Sequence, residues 1–215
     1  MAASTVGGMA LIHEATLTPD KLELLAGWLP TRSWSGRPAA PEKVGTYRFD
    51  DPAGEVGVES FLLRTRDGVL LHVPLTYRGA PLDGADEHLV GVMEHSVLGT
   101  RWVYDGCADP VHATTLAATV LTGGTQADLV MAPDAGGATL SPSVTVAGSG
   151  SSGSPVPEVT AVTCVDDGAT TVVHAGGVEL VVVRVVGADV AAEHTLTGRW
   201  PGGGPAVLAG VSVRA

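Results

Sequence analysis

The sequence predicts an α+β protein dominated by antiparallel strands, a curved sheet packed with helices followed by a smaller, mainly β part. Composition is the first reason: 29 glycines, a charged fraction of only 16% and a valine-rich second half favour strands joined by turns. The second reason is order along the chain. A helix and then a β-hairpin are legible before residue 80, a second helix follows residue 108, and only strand patterns remain beyond residue 157. With 45% hydrophobic residues, 215 residues suffice for a buried core.

Residues 18–29, TPDKLELLAGWL, form the first expected helix. Thr18 caps it, Pro19 suits its first turn, and Leu22, Leu25, Ala26 and Leu29 recur on one face. Pro30 ends it, and Trp34 follows among turn residues. Strands are expected at 44–49, 56–65 and 69–78, the last two joined as a hairpin through Arg66-Asp67-Gly68. In the third strand Val69, Leu71, Val73, Leu75 and Tyr77 share one face, while His72, Thr76 and Arg78 lie on the other. Pro74 in its middle points to an edge or a bulge.

A polar loop then leads to a strand at 100–104, with Trp102 and Tyr104 helping to anchor the sheet. Asp109-Pro110 opens the second helix, Ala113, Leu116, Ala117, Val120 and Leu121 form its buried face, and Gly123-Gly124 closes it. The run GSGSSGSPVP at 148–157 has the composition of a flexible loop or linker. Strands follow at 158–164, 170–174, 178–186, 194–199 and 206–213, with a Gly/Pro turn at 201–205. The expected division is an α+β domain at 1–140, a Gly/Ser/Pro-rich loop or linker at 141–157, and a β-rich subdomain at 158–215.

A net charge of −11 with scattered basic residues argues against nucleic acid and anionic membrane surfaces as partners. No apolar run approaches the ~20 residues of a spanning helix, and the N-terminal stretch lacks a basic start, so a cytoplasmic protein is expected. Cys107 and Cys164 match no metal-ligand spacing and are expected as free thiols.

The densest polar stretch, residues 87–124, brings His88, Glu94, His95, Asp105, Asp109 and His112 close in sequence. Adjacent Glu94 and His95 diverge on a helix or a strand, so the spacing does not describe a metal site. Ser96 and Cys107 lack the sequence context of a catalytic nucleophile. Gly148, Gly150 and Gly153 spell a formal G-x-G-x-x-G, but Pro155 and Pro157 follow where a phosphate-binding helix would have to begin. Trp28 and Trp102 are expected in the core, whereas Trp34 and Trp200, beside turns, are the indoles placed to stack on a sugar.

The motifs WLPTRSW (28–34), HVPLTYR (72–78) and MEHSVLGTRWVYDGCADPV (93–111) resemble those of actinobacterial proteins related to the N-terminal cap of maltokinases, whose standalone members are sometimes labelled glucan-branching proteins. The resemblance covers residues 18 to about 130. It implies a cystatin-like curved sheet with a helix, which in maltokinases precedes an ATP-binding lobe and is not itself catalytic. VELVVVRVV at 178–186 resembles the lysine-bearing strand of a reduced kinase N-lobe, with Arg184 at the lysine's position. Arginine differs from lysine in reach, shape and hydration, no lysine follows Lys43, and the chain contains no asparagine to hold magnesium, so phosphotransfer by this chain alone is not expected.

These readings give a noncatalytic binding or regulatory module linked to maltose, trehalose or glycogen metabolism, acting through a protein partner or a carbohydrate, with no cofactor and no metal. The candidate contact residues are Trp34, Arg78, Glu94, His95, Arg101, Asp105 and Trp200. A small enzyme built on Glu94, His95, Arg101 and Asp105 with Arg78 is the alternative from another class, and a homodimeric scaffold pairing through a sheet edge is the third.

Overall fold

The computed structural model describes residues 9–12, 15–38, 40–131 and 139–214. In chain order its elements are β1 (Met9–Ile12), β2 (Leu17–Thr18), α1 (Lys21–Trp28), β3 (Glu42–Phe49), β4 (Gly57–Arg64), β5 (Leu70–Arg78), β6 (Leu89–His95), β7 (Gly99–Asp105) and α2 (Pro110–Thr122). There follow β8 (Asp128–Met131), β9 (Thr139–Leu140), β10 (Thr145–Gly148), β11 (Thr163–Asp167), β12 (Thr170–Ala175), β13 (Val178–Val183), β14 (His194–Trp200) and β15 (Gly203–Val213). Two short 3-10 turns follow α1, and one precedes each of β6 and α2.

The protein is mostly β. A first antiparallel sheet, ordered β2-β6-β7-β5-β4-β3, curls into a half-barrel, and a second, also antiparallel, runs β10-β14-β15-β13-β12-β11. A small third sheet joins β1, β8 and β9. Strand alternation sorts the first sheet's side chains into two cores. Phe61, Leu63, Leu71, Val73, Leu75, Met93 and Val103 pack under Leu25 and Trp28 of α1 and Leu29 just after it. From the opposite face Tyr47, Phe49, Val58 and Leu62 meet α2, whose Ala113, Leu116, Ala117, Val120 and Leu121 also cover the valine-rich face of the second sheet. Helix α2 therefore lies between the sheets, which explains why it is apolar over so wide an arc.

Asp109 caps α2 by accepting from the Val111 amide, Pro110 takes the first position, and Gly123 closes it in the left-handed region. The run at 148–151 is held against the end of this helix and is not a free linker there. Gly150 and Ser151 donate their amides to the carbonyls of Val120 and Leu121 at 2.9 and 3.0 Å, satisfying acceptors that a helix end leaves open. A Cβ at Gly148 or Gly150 would fall 2.2 Å from Thr119 O or 1.9 Å from Leu121 O, so these glycines serve close backbone approach at a helix C-terminus and form no phosphate loop.

Other expectations are corrected. Helix α1 is shorter than residues 18–29; Asp20, not Thr18, caps it through a capping box with Glu23, and Leu22 is exposed where Trp28 is buried. The loop expected before residue 100 contains β6, a full strand between β2 and β7. The strand expected at 158–164 instead runs 163–167. Pro74 stands in the central strand β5. Its missing N–H faces the gap between β7, which pairs only from Leu75 onward, and residues 184–186, which take over the edge through His72 N–H to Arg184 O and Val186 N–H to Leu70 O.

Candidate functional site

Beside the N-terminus of α1 the concave face of the first sheet opens into a cavity of about 580 Å³. Alternation along the strands brings Arg48, Glu59, Tyr77, Met93 and Arg101 to this face, α1 adds Lys21, and His95 and Leu98 come from the β6–β7 hairpin. Lys21 is ion-paired to Glu59, and its ammonium lies 4.9 Å from the centre of the Tyr77 ring. Arg48 stands directly across the β3–β4 pair from Glu59. Burial by itself would raise the Glu59 carboxyl, but Lys21 and Arg48 outweigh it and hold the group below its ordinary range. Burial, then the Glu59 charge, keeps the Tyr77 phenol protonated far above its ordinary value.

The rim is fixed by turns. Asp51 accepts amides from Ala53, Glu55 and Val56 at 2.9–3.0 Å and shapes the 50–57 loop. His95 Nδ1 accepts from the Val97 and Leu98 amides at 3.2 and 3.1 Å, which puts the ring proton on Nε2 in the neutral form. Arg101 donates to Leu98 O at 2.8 Å across the same hairpin. The cavity thus mixes guanidinium and ammonium donors, carboxylate acceptors and the aromatic surface of Tyr77.

Of the residues singled out in the sequence, His95 and Arg101 meet in this cavity, and the others are elsewhere. Glu94 pairs across the hairpin with Thr100, whose hydroxyl it accepts at 2.8 Å, on the face opposite the Met93–Arg101 pair. Arg78 is locked to Asp109 through two hydrogen bonds of 2.6 Å. Asp105 is buried against Arg184, accepting from its Nη2 at 2.8 and 2.6 Å, and caps the turn before α2 through the Cys107 amide. Trp34, expected at the surface, is buried edge-on to Trp28 with the Arg184 guanidinium 4.8 Å above its ring. Trp200 is half-buried against the second core, close over Gly203. Glu94, His95, Arg101, Asp105 and Arg78 do not converge on one point.

Arg184 is fully buried, and its Nε donates to Thr171 Oγ1 at 2.7 Å, so its guanidinium is engaged by this chain's own groups. Beside it His72 donates from Nδ1 to Val183 O and accepts the Tyr47 hydroxyl at Nε2, both at 2.9 Å. Burial lowers His72 to about 3 and His112 to about 4, so both stay neutral. Cys107 and Cys164 are free thiols, and burial pushes Cys164 up to about 12. Among the described residues no three His, Cys, Asp or Glu side chains are grouped to hold a metal ion.

Sequence reasoning missed Lys21, Arg48, Glu59 and Tyr77 as cavity residues. The usable signal was a charge inside a strand at the same parity as its apolar neighbours: Glu59 with Phe61 and Leu63. Among the described residues no helix is long and apolar enough to cross a membrane.

No curated protein matches the chain. The family model described as the maltokinase N-terminal cap domain matches residues 28–109, under half of the 215 residues, from the end of α1 to the cap of α2. That span contains WLPTRSW, HVPLTYR and nearly all of MEHSVLGTRWVYDGCADPV, together with every strand of the first sheet except β2. The chain is, over residues 28–109, similar to the maltokinase N-terminal cap domain.

Proposed function

We propose that the chain is a noncatalytic, cap-like binding or regulatory module tied to maltose, trehalose or glycogen metabolism, and that the cavity beside α1 is where it takes a carbohydrate. The observation that carries this reading is the lining of that cavity. Lys21, Arg48 and Arg101 supply donors, Glu59 supplies an acceptor, and Tyr77 supplies ring surface, a mixture suited to a neutral polyhydroxylated molecule. The match over residues 28–109 supplies the metabolic context. In this reading the first sheet with α1 is the cystatin-like cap and the second sheet a reduced kinase N-lobe, with Arg184 turned to a structural use. The module would act on a partner enzyme of the same metabolism.

Isothermal titration with maltose, trehalose and a maltooligosaccharide tests the ligand. Saturable heat with one of them, weakened in Arg101→Ala, is expected. Absence of heat with all three at millimolar sugar would contradict carbohydrate binding, and a pull-down recovering no enzyme of α-glucan or trehalose metabolism would contradict the partner.

A further inference from the structure

Beyond the other end of α1 lies a second groove, of about 680 Å³, walled by Trp34, Arg37 and Pro38 on one side and by Arg66 and Val69 of the β4–β5 turn on the other, with Val185 from the segment after β13. Four observations at this groove point the same way. First, the Arg37 and Arg66 side chains have no hydrogen-bond or ion-pair partner among the described residues, although the chain carries a net charge of −11. The acid in the groove's lining, Asp67, accepts the Thr65 hydroxyl at 2.5 Å.

Second, Arg37 (φ 56°) is the one non-glycine residue in the left-handed region among the described residues. Such a conformation is unfavourable for a residue with a Cβ, and strain of this kind clusters at ligand clamps and active sites. Third, Trp34, which lines the groove, is one of three neighbouring residues, with Trp28 and Arg184, whose buried nitrogen (Nε1, Nε1 and Nη1) has no acceptor among the described residues. They belong to one stack, in which Arg32 lies 5.3 Å over Trp28, Trp28 meets Trp34 at 5.9 Å, and Arg184 lies 4.8 Å over Trp34. All three are donors, and the Trp34 indole is the one that belongs to the groove wall. Fourth, Pro38, Val69 and Val185 give the groove apolar wall beside its charged mouth.

We propose that this groove binds a small anionic molecule through a carboxylate or phosphate group, Arg37 and Arg66 closing on the anion from two loops and Trp34 forming the floor. Guanidinium forks match the paired oxygens of either group, and the apolar wall accommodates the body that carries it. Because Val185 comes from the second sheet's chain segment, the site exists only when both parts of the protein are assembled. It is separate from the cavity that the carbohydrate reading uses, so either can fail alone.

The test is titration of the 15N-labelled full chain with inorganic phosphate, pyrophosphate and succinate at constant ionic strength, following the Trp34 indole N–H, with Trp34→Phe to assign it. A saturable shift with at least one probe is expected, with affinity falling by about tenfold or more in Arg37→Gln/Arg66→Gln. Both arginines are exposed, so that double variant should fold, and calorimetry on it gives a second readout if Trp34→Phe does not fold. Phosphate against succinate tells which group is preferred. No saturable response to any probe, a response equalled by chloride, or one unchanged in the double variant would overturn the proposal.

Discussion

Replacing Arg184 by methionine removes the cation from a fully buried pair while keeping most of the side chain's apolar length. Asp105, 4% exposed, then loses both guanidinium contacts, at 2.8 and 2.6 Å, and Thr171 loses its 2.7 Å donor. A carboxylate left buried without its cation costs about 3–5 kcal/mol, a large part of the ~5–15 kcal/mol available to a folded protein. For a chain of this length that corresponds to a Tm lower by roughly 10 °C. Urea unfolding followed by tryptophan fluorescence measures it directly. Arg184→Met should fall by that amount, and Asp105→Asn/Arg184→Met should regain at least half of the loss, because the uncompensated charge is gone. A loss below about 1 kcal/mol in the single variant, or no recovery in the double, would refute the assignment of this pair as the charged link between β7 and the segment after β13.

Three further outcomes follow from the same structure. His72 and His112 have folded-state values of about 3 and about 4, below the ~6.5 of an unfolded chain, so their stabilising effect is complete above pH 6.5 and is lost as pH falls toward those values. Acidification to pH 5 should cost about 2 kcal/mol for each histidine, and His72→Gln should flatten part of the slope of stability between pH 6.5 and 5. Gly150→Ala, whose methyl would overlap Leu121 O, should lose about 3 kcal/mol in thermal or urea unfolding, whereas an alanine at the exposed Ser152 should change little. Because one core takes side chains from the first sheet, α2 and the second sheet, circular dichroism and fluorescence should report one coincident urea transition; two separated transitions would contradict a shared core.

The parts of the fold legible in the sequence are those written locally. Asp109-Pro110 and Gly123 mark both ends of α2, and Asp67-Gly68 marks the hairpin turn, because caps and turns are decided within a few residues. Strand β6 was not legible. Gly91 and the polar Glu94-His95 pair interrupt its alternation, and what makes it a strand is pairing on both sides with β2 and β7. Trp34 looked exposed among Ser, Gly and Arg, yet its burial comes from Trp28 and from Arg184, far along the chain. Glycine-rich composition at 148–153 is the same for a loose linker and for a backbone pressed on a helix end; only the open carbonyls of α2 distinguish them.

The candidate site was half legible. His95 and Arg101 lie in a dense polar stretch that drew attention, whereas Lys21, Arg48, Glu59 and Tyr77 arrive singly from four elements and are united only by the curl of the sheet. Arg78 and Asp105, also singled out in the sequence, pair with Asp109 and Arg184 inside the fold.

The carbohydrate reading is tested most directly by an NMR titration of the labelled protein with maltose, trehalose and a maltooligosaccharide. Saturable amide shifts confined to the cavity beside α1, at Lys21, Glu59, Tyr77, His95 and Arg101, are expected. Saturable shifts that map elsewhere, or no shifts with any of the three sugars, would contradict it.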